Sequence, residues 1–191
     1  MSLTTLDIKE PGLNVLPPGV ERHVINAGGL TGLQIFPDDE IEIINEEGNQ
    51  ICEIVCFDKN GKSELGILNL KVNDKASFIR KILTKKVESS LITNHQLKKR
   101  NLNINEANSA IVFDNDTPNG EKLKFKSKDK CYVIFAAPQN EMLISDQNPS
   151  SDLTLFIKRS KIKDDKELDY KLEQQYMYMV AHPGADSTPY D

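Results

Sequence analysis

The sequence predicts a mainly β protein, built as a small β-barrel or as two packed sheets with one helical insertion. Three observations indicate this fold class. Short runs of β-branched and aromatic residues recur between turn residues along most of the chain. Two of these runs flank residues 45–49, a segment that contains glycine, and this arrangement is typical of a hairpin. Only the stretch that follows Asp74 has apolar residues at helical spacing.

Four strands are predicted in the first third of the chain. We expect them at 20–26, 33–36, 41–44 and 50–57. The first is followed by Gly28 and Gly29, which adopt positive φ without steric cost. Pro37 favours a turn after the second strand, and Asn60-Gly61 favours another after the fourth. The runs 41–44 and 50–57 are therefore predicted to pair as the hairpin.

A helix interrupts the strands in the middle of the chain. The apolar residues that predict it over 75–87 are Phe78, Ile79, Ile82, Leu83 and Val87. Asp74 is the predicted N-cap, because its carboxylate can accept an early backbone N–H. A looser segment follows this helix, and the sequence leaves open whether it is also helical. Further strands are predicted at 109–113, 122–125, 131–136 and 153–157.

This order of elements predicts three regions. Residues 1–16 are expected to form an N-terminal arm, 17–158 the β-module, and 159–191 a polar linker. Pro183-Gly184 repeats the Pro18-Gly19 pair that precedes the first predicted strand. The repeat predicts that the linker leads into a second module beyond the chain.

Composition and charge exclude several classes of partner. The 191 residues carry a net charge of −5, and a nucleic-acid partner would require a basic face. No apolar run approaches the ~20 residues of a membrane helix, and the N-terminus lacks the features of a signal peptide. With three cysteines and no export signal, the protein is predicted to be reduced and cytoplasmic, with neither a nucleic-acid nor a membrane partner.

The cysteines are interpreted as core residues. Cys52 and Cys56 lie four positions apart in a predicted strand, so both side chains share one face with apolar neighbours. Cys131 lies within another apolar strand. A metal site would need further Cys or His ligands nearby, and no metal ligand or catalytic residue is assigned.

Three polar residues are candidates for ligand binding. Glu53 lies in an apolar strand, and the sequence leaves open whether it faces solvent or is a buried carboxylate that lines a pocket. Asn148 and Asp152 bracket Pro149 before the last predicted strand. They either project toward the same end of the module as Glu53 or build the turn with their own backbone bonds.

The order of these motifs resembles the urea carboxylase-associated protein family over most of residues 17–158. The matching positions are Pro18-Gly19, Ala27-Gly28, Gly48-Asn49-Gln50, Glu53, Phe57, and Asn148-Pro149 with Asp152. Some members of that family hydrolyse carboxylated guanidine compounds and hold zinc with Cys and His. This chain departs from them, because 114–138 contains no His and only Cys131. The resemblance therefore carries no zinc site to this chain.

The family module also occurs in tandem ahead of a folate-dependent aminomethyltransferase domain similar to the glycine cleavage T-protein. The resemblance thus implies a non-catalytic N-terminal module of a one-carbon enzyme, which contacts the other domains of its parent chain or forms a homo-oligomer. Tetrahydrofolate would bind the parent protein outside this chain.

Two alternatives remain open at this point. One is a free-standing small-molecule amidohydrolase. The other is a module that binds a small amine, with Glu53 and Asp152 opposing its charge.

Overall fold

The computed structural model describes residues 16–139 and 150–161, which form two antiparallel sheets and a helical layer. The eight strands are β1 (Val20–Ile25), β2 (Leu30–Ile35), β3 (Glu40–Asn45), β4 (Cys52–Asp58), β5 (Ser109–Phe113), β6 (Glu121–Lys126), β7 (Cys131–Ala136) and β8 (Leu153–Lys158). The two α-helices are α1 (Ser77–Leu83) and α2 (Glu88–Lys99), and short 3₁₀ turns occupy Leu65–Leu68 and Ile104–Glu106.

The predicted mainly β class is confirmed, in the form of two packed sheets. The first sheet has the strand order β1-β8-β3-β6, and the second has the order β2-β7-β4-β5. Every pairing between these strands is antiparallel. Within the described residues no strand of one sheet pairs with a strand of the other, so the sheets do not close into a barrel.

The two sheets and the helices are stacked in three layers, and buried apolar side chains fill both interfaces between them. The layer between the sheets includes Ile41, Ile43, Ile54, Phe135 and Leu155, all at most 1% exposed. A second layer lies between the second sheet and the helices; its members include Val55, Phe57, Ile79, Tyr132 and Ile134. The second sheet is therefore covered on both faces, which explains why β7 is buried at every residue and β4 at all but its last.

The predicted hairpin is wrong. β3 pairs with β6 and β8 in the first sheet, whereas β4 pairs with β5 and β7 in the second. The segment between them is thus a crossover from one sheet to the other. Gly48 has a φ of +74° there, and a Cβ at this position would lie 2.7 Å from the carbonyl oxygen of Thr117. The prediction failed because two strands joined by a short connection that contains glycine have the same sequence pattern whether they pair as a hairpin or cross from one sheet to another.

The helical insertion contains two α-helices where one was predicted. α1 ends at Leu83, and α2 begins at Glu88. The side of α2 that is buried includes Ser90, Thr93 and Gln96, so its sequence lacks the apolar stripe by which an amphipathic helix is recognised. The predicted cap is also wrong: the N-cap position of α1 is Ala76, and the Asp74 carboxylate accepts from the Ser77 hydroxyl.

Candidate functional site

Three segments that are far apart in the sequence meet at one end of the sandwich, which we call the loop end. They are the turn at 26–29, the crossover at 46–51 and the segment at 150–152 that precedes β8. The backbone N–H of Ala27 donates to Oδ1 of Asp152 at 2.8 Å. The hydroxyl of Ser151 lies 3.5 Å from the carbonyl oxygen of Gly48. These segments include much of the motif on which the family resemblance depends.

Gln50 joins the two chain segments that flank residues 140–149. Its Nε2 donates to the carbonyl oxygen of Pro138 at 2.9 Å, and its Oε1 accepts from the backbone N–H of Ser151 at 3.0 Å. The residue is fully buried. Each of these backbone groups would otherwise lose its hydrogen bond inside the protein, so the amide is needed for packing of the loop end.

Asn45, the last residue of β3, lies next to Gln50. Its Nδ2 donates to the backbone oxygen of Gln50 at 2.9 Å. Its Oδ1 is buried and has no hydrogen-bond partner in the part of the chain that the structure describes. An acceptor in this state can take a hydrogen bond from a water molecule or another donor at the loop end.

The structure describes two of the three sequence-predicted binding residues, Glu53 and Asp152. Asp152 is exposed at the loop end, and Oδ1 of its carboxylate holds the Ala27 N–H, as the turn-building interpretation expected. Asn148 lies outside the described residues. Glu53 faces inward on β4, in the layer between the second sheet and the helices. The described hydrogen bonds of Glu53 and Asp152 go to different partners, and the assignment of both residues to one binding site stays a prediction.

Glu53 is a buried carboxyl group that anchors helix α1 to the second sheet. Its Oε2 accepts from the backbone N–H of Ile79 at 2.7 Å, and its Oε1 accepts from the Ser109 hydroxyl at 2.7 Å. The same hydroxyl accepts from the N–H of Ala76 at 2.8 Å. Because α1 has no side-chain cap of its own, Glu53 supplies from β4 the acceptor that a local N-cap normally provides.

Burial raises the pKa of Glu53 above its usual value. The hydrogen bonds from Ser109 and Ile79 oppose this change, and the neighbouring carboxylate of Asp74 adds to it. The pKa of Asp74 is lowered: burial alone would raise it, but hydrogen bonds from Ser77, from the backbone of Lys75 and from Glu53 outweigh that effect. The two carboxyl groups thus favour a state in which Glu53 carries the proton and Asp74 the charge.

The three cysteines are core residues, as predicted. Cys52, Cys56 and Cys131 are at most 1% exposed, and all three face the layer between the sheets. Burial raises the pKa of Cys52. A hydrogen bond between the thiols of Cys56 and Cys131 raises the pKa of Cys56 and lowers that of Cys131. Among the described residues, no group of three or more His, Cys, Asp or Glu side chains is arranged to hold a metal ion.

A buried ionic cluster at the opposite end of the sandwich was missed by sequence reasoning. Arg159 donates from Nε and Nη2 to the two carboxylate oxygens of Glu21 at 2.7 and 2.9 Å. Its Nη1 donates to Asp39 at 2.8 Å and to the carbonyl oxygen of Gln34 at 2.9 Å. Since Glu21 belongs to the first sheet and Gln34 to the second, Arg159 connects the sheets.

Ser160 extends this cluster. Its N–H donates to Asp39 at 2.9 Å, and its hydroxyl donates to the carbonyl oxygen of Pro37 at 2.8 Å. Arg159 and Ser160 were assigned to the start of the linker, and they contact the module directly. Residues 1–15 and 162–191, including the Pro183-Gly184 repeat, lie outside the described residues, so the three-region organisation stays a prediction.

The outer face of the first sheet contains an open groove of about 880 Å³. Its lining alternates apolar and charged side chains; among them are Ile44, Phe156, Glu42, Lys124 and Lys158. Glu53, Asp152 and the cysteines do not line it. No helix in the described part of the chain is long and apolar enough to span a membrane.

Comparison with known proteins finds a relative by sequence. No family model matches the chain. It is 34% identical over 156 residues to the trimethylamine-oxide aldolase of Ruegeria pomeroyi. The matched region covers 82% of this chain and 20% of the relative, so the chain spans about one fifth of the protein it resembles.

A solved structure with a remote likeness is that of a DUF1989 family protein from Silicibacter pomeroyi DSS-3. It is 8% identical, with a TM-score of 0.40, and the match covers 75% of this chain and 80% of that one.

The relative corrects the functional expectation. The predicted non-catalytic N-terminal module of a folate-dependent aminomethyltransferase is wrong, because the relative is named as an aldolase, an enzyme in its own right. The similarity supports a module shared with a longer protein, whereas the link to the urea carboxylase-associated family stays a prediction. Tetrahydrofolate, a homo-oligomer, a small amine ligand and a cytoplasmic location also stay predictions.

Proposed function

We propose that the protein to which this chain belongs cleaves a small N-methylated amine oxide, as the name of its relative describes. The observation that carries the proposal is the 34% identity over 156 residues, because it extends over most of the chain. The urea carboxylase-associated resemblance is compatible with this proposal, since that family is also associated with small nitrogen compounds.

The proposed reaction balances without an external oxidant or reductant. Trimethylamine N-oxide contains the atoms of one dimethylamine and one formaldehyde. One N–CH₃ bond and the N–O bond break, the oxygen becomes the aldehyde oxygen, and a hydrogen of the departing methyl group moves to nitrogen. Groups suited to this substrate would include acceptors near the methylated nitrogen, which carries positive charge, and a donor near its oxygen.

The loop end is the part of this chain that we propose contacts the substrate. The exposed carboxylate of Asp152 has one oxygen committed to the Ala27 N–H, and its negative charge suits a methylated nitrogen. The Gln50 contacts to Pro138 and Ser151 support these residues on fixed backbone, which is what a binding site needs.

The test uses the complete open reading frame that contains this chain. The purified protein is incubated with trimethylamine N-oxide, and formaldehyde and dimethylamine are quantified. Trimethylamine is the matched control, because it lacks the oxygen that the aldehyde requires. Equal amounts of the two products from the oxide alone would support the proposal, and absence of turnover from the oxide would overturn it.

A pair of variants tests the role of the loop end separately. Asp152→Asn keeps an acceptor for the Ala27 N–H and removes the charge, whereas Asp152→Ala removes both. If the charge contacts substrate, both variants raise KM at least several-fold, and Asp152→Asn does so without a change in Tm. An unchanged KM in Asp152→Asn would remove the loop end from the proposal and leave the assignment of the reaction intact.

A further inference from the structure

Two of the buried cysteines face each other across neighbouring strands of the second sheet. In the pairing of β4 with β7, Cys56 lies opposite Val133, and Asp58 lies opposite Cys131. Cys56 and Cys131 are therefore diagonal neighbours, and both project into the layer between the sheets. Their thiols are hydrogen-bonded to each other, so the two sulfur atoms are already close together.

The two thiols differ in how readily they ionise. The hydrogen bond from Cys56 lowers the pKa of the Cys131 thiol, and the Ser127 hydroxyl, 3.5 Å from its sulfur, acts in the same direction. Burial and the carboxylates of Asp129 and Asp39 oppose this change without reversing it. The bond between the thiols raises the pKa of Cys56. Because the thiolate is the nucleophilic form of cysteine, Cys131 is the member of the pair that reacts first with an oxidant.

The position of Cys131 in the sheet gives it a route to solvent. It is the first residue of β7, and it directly follows the exposed residues 128–130. A local opening of that turn would expose the thiol without separating the two sheets. Cys52, by contrast, lies two positions after the fully buried Gln50.

The spacing of the strands allows a bond between the two sulfur atoms. Diagonal neighbours in an antiparallel pair lie about 7–8 Å apart between their Cα atoms, and a disulfide usually spans up to about 6.8 Å. A shift of about 1 Å in one strand closes this difference. A disulfide that forms with some strain has a higher reduction potential, so this bond would be easily reversed by reduction.

From this geometry we propose that Cys56 and Cys131 are a peroxide-responsive thiol pair that forms an intramolecular disulfide between β4 and β7. The Cys131 thiolate attacks one oxygen of hydrogen peroxide, the O–O bond breaks, and the products are a sulfenic acid and hydroxide. The sulfur of Cys56 then attacks the sulfenic sulfur, and the sulfenic hydroxyl leaves as water with the Cys56 proton. Two thiols and one hydrogen peroxide thus yield one disulfide and two water molecules.

Peroxide treatment of the folded 191-residue chain tests the proposal. Free thiols are counted before and after treatment, and the cysteine peptides are mapped under non-reducing conditions. We expect the count to fall from three to one, with a single link between Cys56 and Cys131 that dithiothreitol reverses. Because this link closes a loop that contains residues 57–130, the oxidised chain should also migrate faster on a non-reducing denaturing gel.

Three variants assign the steps to the two residues. Cys52 provides the matched control, because it is equally buried in the same layer and lies about 13 Å from Cys56 along β4. Cys52→Ala should leave the disulfide unchanged. Cys56→Ser keeps a hydrogen-bond donor beside Cys131 and should stop the reaction at a sulfenic acid, which dimedone captures. Cys131→Ser should abolish both the disulfide and the capture by dimedone.

Four results with the wild-type chain would overturn the proposal. They are an unchanged thiol count after peroxide treatment, a link that involves Cys52, a link that appears only in denaturant, and oxidation to a sulfinic acid without a link. None of these measurements depends on the folding of a variant.

Discussion

Arg159 and Glu21 form a two-point ion pair between residues that are 138 positions apart in the sequence. The side chain of Arg159 is 5% exposed and that of Glu21 is 20% exposed. Nη1 of Arg159 also pairs with the carboxylate of Asp39, whose side chain is fully buried. Burial alone would raise the pKa of Glu21, but hydrogen bonds and positive charge from His23 and Arg159 lower it to about 2. The carboxylate is therefore charged throughout the range in which the protein is expected to be folded.

The first prediction concerns acid stability. Because the folded pKa of Glu21 lies below its ordinary value of 4.5, its contribution is complete above pH 4.5 and is lost as the pH falls toward about 2. Glu21→Gln should reduce the free energy of unfolding by ~2–3 kcal/mol at pH 7. The deficit relative to the wild type should shrink as the pH falls through that window. Urea unfolding of both proteins at several pH values measures it, and a deficit independent of pH would contradict the pKa assignment.

The second prediction concerns Glu53, whose effect on stability changes with pH in the opposite direction to that of Glu21. Its pKa is raised in the folded protein, so its contribution is complete at low pH and is lost as the pH rises through the folded pKa. Glu53→Gln stays uncharged and should gain stability relative to the wild type as the pH increases. Glu53→Ala leaves the Ile79 N–H and the Ser109 hydroxyl without their acceptor and should cost ~3 kcal/mol. Denaturant unfolding at a series of pH values separates these variants, and a constant difference between Glu53→Gln and the wild type would refute the assignment.

A third prediction concerns Gly32 on β2. A Cβ at this position would lie 2.7 Å from Cζ of Tyr132 and 2.8 Å from Oε1 of Gln96, and the Tyr132 hydroxyl lies closer still. Gly32→Ala should cost ~1–3 kcal/mol through overpacking. Tyr132→Phe removes the nearest atom, so it should recover part of that loss in the double variant. A double-mutant cycle from thermal or urea unfolding measures the coupling, and strictly additive effects would show that the two residues do not compete for space.

A fourth prediction addresses Gln50. Gln50→Met is close in volume but leaves the Pro138 oxygen and the Ser151 N–H unpaired, so it should cost ~2–3 kcal/mol. The effect should be concentrated at the loop end, where hydrogen exchange at Ser151 and Ala27 is expected to accelerate more than exchange in β3. Gln34 in β2 is only partly buried, so Gln34→Met is the control and should cost less. Uniform acceleration across the sheets would mean that Gln50 acts through global stability alone.

The sequence was sufficient to place the strands because burial imposes a pattern on neighbouring residues. Ile41 and Ile43 alternate with polar residues, and the continuous apolar run that contains Ile54 and Val55 marks a strand buried on both faces. Pairing was harder to predict, since the same pattern fits a hairpin and a crossover between sheets. The sequence left α2 undecided as a separate helix, because Ser90, Thr93 and Gln96 face its buried side.

The site could be predicted only in part, for a related reason. The motif positions Ala27, Gln50 and Asp152 were noted in the sequence, but their convergence depends on contacts up to 125 residues apart. Glu53 was found as an exception in an apolar strand, and only the structure shows that its partners are Ile79 and Ser109. Arg159 gave no local signal, because a single arginine after a strand is typical of a solvated segment.

The Gln50 contacts have a consequence for protein engineering. The backbone groups of Pro138 and Ser151 both hydrogen-bond to the side chain of Gln50. These two positions are therefore held close together by Gln50 as well as by the chain of residues 140–149 that joins them. Lengthening a connection whose ends are already fixed costs only the slow logarithmic increase in chain entropy, about 0.6 kcal/mol for each doubling of its length. The position between Gln139 and Ser150 is accordingly where we would graft a foreign peptide or a reporter tag onto this scaffold.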